Sequence, residues 1–121
     1  MDEPIQVLAG TGGVALGEAR TDHEGRKAVL LHREGDPAEL ISLAETMGID
    51  VLDVQYQKGK DDPRTYFGKG RLQDVADEIS TAVEGHPWHG VDLVIIHSNA
   101  SPRQLVNIHE SLQVEVWDRV R

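Results

Sequence analysis

The sequence contains one run, Val91-Asp92-Leu93-Val94-Ile95-Ile96, that is more hydrophobic than any other part of the chain. A short apolar run rich in β-branched residues, with turn-forming residues before it, is typical of a buried strand. Strands of this kind lie inside parallel sheets, where helices cover both faces. We therefore predict a central parallel strand at this position.

Three further strands are predicted along the chain. Residues 27–31 form a short apolar run, residues 49–55 follow a glycine and contain Val51 and Leu52, and residues 113–117 are the last predicted strand. Each is too short for a helix and lies between polar or glycine-containing segments, as strands do.

Between these strands, helical spacing of apolar residues predicts three helices. The first begins at Asp36, a capping residue followed by Pro37 at the first helical position, and it ends at Gly48. Its apolar stripe consists of Leu40, Ile41, Leu43, Ala44 and Met47.

The second helix is predicted to begin near Gly70 or Arg71, and the third at Ser101. Ser101 is followed by proline and then by Gln104, which is the pattern of a capping box. The predicted inner face of the second helix is Leu72, Val75, Ala76, Ile79, Ala82 and Val83, and that of the third is Leu105, Ile108 and Leu112.

The resulting order is β-α-β-α-β-α-β with short connections. It predicts an α/β fold in which a four-stranded, mostly parallel sheet is flanked by three helices. Ligands of such sheets bind at the loops that follow the carboxyl ends of the strands. Residues 61–71 and residues 97–100 both follow strands, so we expect them at the same edge.

Composition favours one soluble domain. The chain has 121 residues, of which 39% are hydrophobic, and it contains no cysteine. Disulfide frameworks and cysteine zinc sites are therefore excluded, and no apolar run is long enough to span a membrane. Residues 1–25 are predicted to be a flexible segment and residues 26–121 the folded domain, and the expected compartment is the cytoplasm.

Positive charge gathers in one segment only, residues 58–71, which we call the basic loop. Its local charge is +3, against −12 for the rest of the chain. A net charge of −9 argues against general affinity for nucleic acid, but a basic loop on an acidic body favours a local contact with an anion. Asp61 and Asp62 precede Pro63 and are predicted to form a turn.

The end of the basic loop, Gly68-Lys69-Gly70-Arg71, leads into a helix, where main-chain N–H groups and cations can face a phosphate. It is not a Walker A loop, which requires Gly-x-x-x-x-Gly-Lys-Ser/Thr. We expect Arg64, Lys69 and Arg71 to neutralise phosphates of an RNA backbone. Tyr66 or Phe67 could stack on a base, although at least one of them is expected to pack beneath the loop.

Other constellations carry little chemistry. The glycines at positions 10, 12 and 13 lack the lysine and hydroxyl residue of a phosphate loop. His86 and His89 lack a third metal ligand nearby in the sequence. Ser98 and Ser101 lack an orienting acid, so no catalytic set emerges.

Several segments together resemble the N-terminal domain of the HflX family of ribosome-associated GTPases. The most specific is Pro-x-Thr-Tyr-x-Gly-Lys-Gly, which begins at Pro63, and Ser-Pro-x-Gln at Ser101 supports it. The resemblance covers residues 27–121 in the family's order. The segments that carry it are residues 43–48, 62–72, 92–95, 101–104 and 116–119.

The resemblance implies an α/β domain that precedes a helical hairpin and a G domain in the parent protein. It implies contacts with ribosomal RNA of the large subunit and action on stalled or stressed ribosomes. GTP and magnesium would be bound by the G domain, which this chain is expected to lack, so no enzymatic activity or cofactor is expected in it. Two departures stand out: residues 97–100 replace a loop that is usually acidic, and Arg71 replaces a commoner lysine.

Two alternatives remain open. The loop at Gly68-Lys69-Gly70 could bind an adenine nucleotide, with Lys69 on its phosphates. The domain could also be purely structural and position the G domain.

Overall fold

The computed structural model describes residues 24–119 and shows the predicted order of elements. Almost all of the predicted flexible segment, including Gly10, Gly12 and Gly13, lies outside the described residues. The strands are β1 (Lys27–His32), β2 (Asp50–Tyr56), β3 (Val91–Ile96) and β4 (Glu115–Asp118). The helices are α1 (Ala38–Thr46), α2 (Lys69–Thr81) and α3 (Pro102–Leu112).

The four strands form one sheet in the order β2-β1-β3-β4, and every pairing is parallel. The predicted α/β fold is therefore confirmed. The hydrophobic run that predicted a central strand is β3, where the four residues from Leu93 to Ile96 are at most 3% exposed. β1 and β4 pair with the two edges of this strand, and apolar clusters cover both faces of the sheet.

The two faces of the sheet bury separate apolar clusters. Successive side chains of a strand point to opposite faces, so Val29 and Leu31 of β1 pack towards α2 and α3. Ala28 and Leu30 of the same strand pack towards α1 and Trp117. This alternation fixes the position of all three helices relative to the carboxyl ends of the strands.

The predicted start of α3 is confirmed. Ser101 Oγ accepts the N–H of Gln104 at 3.1 Å, and Gln104 Oε1 accepts the N–H of Ser101 at 2.9 Å, so the capping box is complete. The predicted start of α1 differs: Pro37 is the N-cap and the helix begins at Ala38, while the carboxylate of Asp36 accepts the N–H of Ala38 at 3.0 Å. Neither α1 nor α2, which begins after Gly68, has a hydrogen bond from the side chain of its capping residue.

Two further boundaries differ from the prediction. Val83 does not lie on the inner face of α2 but is 69% exposed, because the helix ends at Thr81 and Ala82 is extended. The last strand is β4 and not residues 113–117, because Gln113 adopts φ 60° and closes α3 by donating to His109 O. Within residues 24–119, no helix has the length and apolar content needed to cross a membrane.

Candidate functional site

The basic loop folds back over the carboxyl ends of β1 and β3. Tyr66 Oη donates to His97 O at 3.3 Å, and Ser98 Oγ donates to the carboxylate of Asp61 at 3.1 Å. The two segments that the sequence placed at one edge are therefore in contact. The strand order reverses between β1 and β3, which is where open parallel sheets form a ligand crevice. In this domain the loop's own residues fill that position.

Two aromatic side chains anchor the loop. Tyr66 and Phe67 are 1% and 0% exposed, and their rings stack with centroids 5.6 Å apart. Burial raises the pKa of Tyr66 to about 12, so its phenol stays neutral. The expectation that one ring packs beneath the loop holds for both. Neither ring therefore presents a face to a base, and the stacking role predicted for them does not fit this structure.

A tight turn precedes these rings. Asp62 and Tyr66 exchange main-chain hydrogen bonds of 2.8 and 2.9 Å, and Tyr66 adopts φ 65°. The carboxylate of Asp62 accepts the N–H groups of Arg64 at 2.7 Å and Thr65 at 3.1 Å. These bonds, the first above all, lower the pKa of Asp62. The predicted turn at this aspartate is confirmed.

An arginine that the sequence analysis did not single out holds the loop from below. Arg33, directly after β1, is 8% exposed and donates to Tyr66 O at 2.7 Å and to Lys58 O at 3.0 Å. Its guanidinium also lies 6.0 Å from the centre of the Phe67 ring. At Gly59, where φ is 110°, a β-carbon would lie 3.1 Å from Arg33 Nη2. Only the topology, which brings the end of β1 under this loop, could have indicated this role.

Helix α3 holds the loop from the side. Gln104 Nε2 donates to Asp62 O at 2.8 Å, and Asn107 Nδ2 donates to Arg64 O at 3.0 Å. Gln104 thus serves both the capping box and the loop. Together with Arg33, side chains from two elements bind four main-chain carbonyl groups of the loop, so its backbone has a defined shape.

The start of α2 is partly engaged within the domain. Gly68 N–H donates to Gln57 Oε1 at 2.8 Å. Arg71 donates to Gln55 Oε1 at 3.0 Å and lies 5.7 Å from the Phe67 ring centre. Arg71, predicted to bind phosphate, is therefore half-buried and holds the loop against β2. A β-carbon at Gly70 would meet nothing within 4 Å, so the fold itself does not require this glycine.

Four basic side chains of the loop remain on the surface. Lys58, Lys60, Arg64 and Lys69 are all exposed. The main chain between them is fixed by the bonds described above. The arrangement therefore presents several cations on a rigid support at the edge of an acidic domain, which suits a polyanion.

A second polar cluster joins β2 to the turn after α2. The carboxylate of Asp53 accepts hydrogen bonds from Val54 N at 2.8 Å, Gln55 Nε2 at 2.9 Å and Trp88 Nε1 at 3.0 Å. It borders an open cavity of about 450 Å³ that is also lined by the acidic side chains Asp74 and Glu78. This cluster is acidic, unlike the loop.

His86 and His89, which are close in the sequence, have separate partners. His86 Nε2 pairs with the carboxylate of Glu78 at 2.5 Å, whereas His89 Nδ1 contacts Ala82 O at 3.3 Å. Among residues 24–119, no group of three or more histidine, aspartate or glutamate side chains has the geometry of a metal site.

These features define a class: a small parallel α/β domain that carries a basic loop over the carboxyl edge of its sheet. Residues 34–121 match the family described as "GTP-binding GTPase N-terminal". GTPase HflX of Caldanaerobacter subterraneus subsp. tengcongensis is 34% identical over 82 residues. The chain belongs to this family and is an N-terminal domain of the HflX type.

Solved structures agree with the fold. The structure of SsGBP with GDP covers 78% of this chain with a TM-score of 0.61 and 20% identity. A GTP-binding protein from the hyperthermophilic archaeon Sulfolobus solfataricus, in complex with GDP, also covers 78%, with a TM-score of 0.59 and 20% identity. The chain spans 18% of the HflX relative and 26% and 28% of these two structures.

Proposed function

We propose that this domain binds the large ribosomal subunit by contacting ribosomal RNA through its basic loop. The observation that carries the proposal is the set of exposed cations, Lys58, Lys60, Arg64 and Lys69, on a loop whose backbone is fixed. Membership of the HflX-type family supports the ribosome as the source of that RNA.

The rigidity of the loop bears on affinity. Ordering a flexible segment on binding costs free energy, and a segment that is already ordered avoids much of this cost. Arg33, Gln104 and Asn107 order the loop in the free domain. The cations can therefore meet the phosphates without a large change in the backbone.

The chemistry of the loop favours the RNA backbone over its bases. Lysine and arginine neutralise phosphates and release counterions, which supplies affinity with little sequence preference. Since the rings of Tyr66 and Phe67 are buried, base stacking is not part of the proposal. Gly70 leaves space for a phosphate to approach the first turn of α2.

In the longer protein, we further propose that this domain works with a helical hairpin and a G domain that binds GTP and magnesium. GTP hydrolysis would then reside in the G domain, and this domain would be a non-catalytic binding module. The proposed setting is translation or ribosome rescue under stress in the cytoplasm.

The test is co-sedimentation of the chain with purified large ribosomal subunits at several salt concentrations. Arg64→Glu and Lys69→Glu, singly and together, are expected to weaken binding and to reduce its salt dependence. Each phosphate contact contributes roughly 0.7–0.9 to the slope of log K against log salt concentration. The control for a change of charge elsewhere is Lys27→Gln, at the start of β1 and thus at the opposite end of the sheet. Unchanged binding by the double variant at every salt concentration would reject the RNA contact.

The alternative, an adenine-nucleotide site at Lys69, makes a different prediction. Gly68 N–H is already bonded to Gln57, and the crevice at the reversal of strand order is filled by Tyr66 and Phe67. Calorimetry of the chain with ATP is therefore expected to show no binding. Micromolar affinity that Lys69→Glu abolishes would favour the nucleotide site. A purely structural domain would show neither RNA nor nucleotide binding.

A further inference from the structure

Arg33 lies inside the domain in an unusual electrostatic setting. It is 8% exposed, and none of the ion pairs found within residues 24–119 involves it. Its Nη atoms donate to two main-chain carbonyl groups, while its Nε is buried without a hydrogen-bond partner. Burying a cation without a carboxylate is costly. A domain that needed only packing at this position would be better served by an apolar residue.

The contacts of Arg33 show which part of the loop it holds in place. The two carbonyl groups that it binds, Lys58 O and Tyr66 O, lie near the two ends of the connection between β2 and α2, residues 57–68. The planar guanidinium can hold both at once, which a lysine ammonium on its flexible stem does less well. Tyr66 has a strained positive φ, and Gly59 provides the room that the guanidinium needs. One side chain therefore closes the segment that carries Lys60 and Arg64.

We infer that Arg33 is the positioning residue for the RNA contact: it closes the basic loop into its binding shape while touching no phosphate itself. The inference rests on the proposed function and adds a residue to it.

The decisive variants are Arg33→Gln and Arg33→Lys. Arg33→Gln removes the charge and can serve only one carbonyl group, and it is expected to lower the affinity for large ribosomal subunits about tenfold. The slope of log K against log salt concentration is expected to stay as in the wild type, because no phosphate contact is lost. Lys69→Gln, in contrast, is expected to lower that slope. Arg33→Lys keeps the charge and is expected to fall between the wild type and Arg33→Gln.

A second measurement tests the order of the loop backbone in the absence of RNA. Hydrogen exchange of the amides of Thr65, Tyr66 and Phe67 is expected to accelerate in both Arg33 variants, while amides of β3 keep their protection. Lys27→Gln is the control for loss of a basic residue at the distant end of β1. If Arg33→Gln does not fold, as judged by near-ultraviolet circular dichroism, Arg33→Lys carries the same two measurements.

The outcomes separate this inference from the proposed function. If Arg64→Glu and Lys69→Glu weaken binding but both Arg33 variants bind and exchange like the wild type, the positioning role is wrong and the RNA contact stands. If Arg33→Gln lowers the salt slope as Lys69→Gln does, Arg33 is a direct contact and the inference is also wrong. If the loop variants leave binding unchanged, the proposed function fails, and with it any role of Arg33 in RNA binding.

Discussion

The connections from β2 to α2 and from β3 to α3 start at the same edge of the sheet but are held by different means. The shorter one, residues 97–101, ends in the capping box of Ser101 and Gln104. The longer one, residues 57–68, ends at a glycine without a side-chain cap and is instead held by buried rings and by side chains bound to its carbonyl groups.

The two loops differ in whether the side chains that hold the backbone are also the ones exposed on the surface. The shorter loop is held by the residues that start α3 and also by Asp118, whose carboxylate accepts the N–H of Ala100 at 3.1 Å. In the longer loop, the side chains that define the shape (Arg33, Tyr66, Phe67) are buried. Within residues 24–119, no hydrogen bond or ion pair involves the exposed side chains of Lys60 and Arg64. The surface charge of the longer loop can therefore change without changing the fold.

The largest expected effect on stability comes from removing the buried ring beneath the longer loop. Phe67→Ala deletes a ring that is fully buried between Arg33 and Arg71. We expect a loss of about 3–5 kcal/mol in the free energy of unfolding, measured by urea denaturation. Tyr56→Ala is the matched control, because Tyr56 is 50% exposed, and it should cost well under half as much. Equal losses of unfolding free energy in the two variants would show that the buried Phe67 ring does not stabilise the longer loop.

A smaller effect is expected at the shorter loop. Ser101→Ala removes one half of the capping box of α3 and should lower stability by about 1 kcal/mol. Ser111, exposed near the end of the same helix, offers the control Ser111→Ala. Binding to large ribosomal subunits should be unaffected by either change. A larger loss of ribosomal-subunit binding in Ser101→Ala than in Phe67→Ala would show that the shorter loop, and not the longer one, matters more for binding.

The smallest expected effect is a dependence on pH that is confined to the longer loop. Hydrogen bonds from Arg64 and Thr65 hold the pKa of Asp62 below its usual value of 3.8. The stability that this carboxylate contributes is therefore present above pH 3.8 and is lost as the pH falls through the lowered pKa. In NMR titrations, the amide signals of residues 64 and 65 should shift with a midpoint below 3.8.

Asp62→Asn provides the control for this titration. An asparagine oxygen can still accept both N–H groups, but it does not titrate in this range. The two amide signals should then be independent of pH between about 2 and 5. A midpoint at or above 3.8 in the wild type would mean that the turn does not favour the ionised carboxylate.

The elements of this fold were predictable because their signals are local. The apolar run of β3 and the capping pattern at Ser101 each depend on residues close together in the sequence, and both predictions are confirmed. Val83 was placed wrongly because helical spacing does not reveal where a helix ends. The boundary of β4 was missed because it depends on the left-handed conformation of Gln113.

The site was less predictable, since its contacts join distant segments. The sequence indicated which loop is basic and which edge it occupies. It could not show that Arg33, about thirty residues earlier, would reach two carbonyl groups of that loop. Nor could it show that Arg71 would turn inward to Gln55 while Lys69 stayed exposed. These choices depend on packing across the sheet, which spacing along the chain does not encode.

The carboxylate of Asp53 also has a consequence for how copies of this domain behave towards one another. β2 forms an edge of the sheet, and an edge strand with free N–H groups is a template for intermolecular strand pairing and aggregation. Asp53 accepts the N–H of Val54 and places a negative charge in the middle of this strand. A strand from another molecule would have to displace that bond and bury the charge. The residue that anchors Trp88 thereby also disfavours strand pairing at this edge of the sheet.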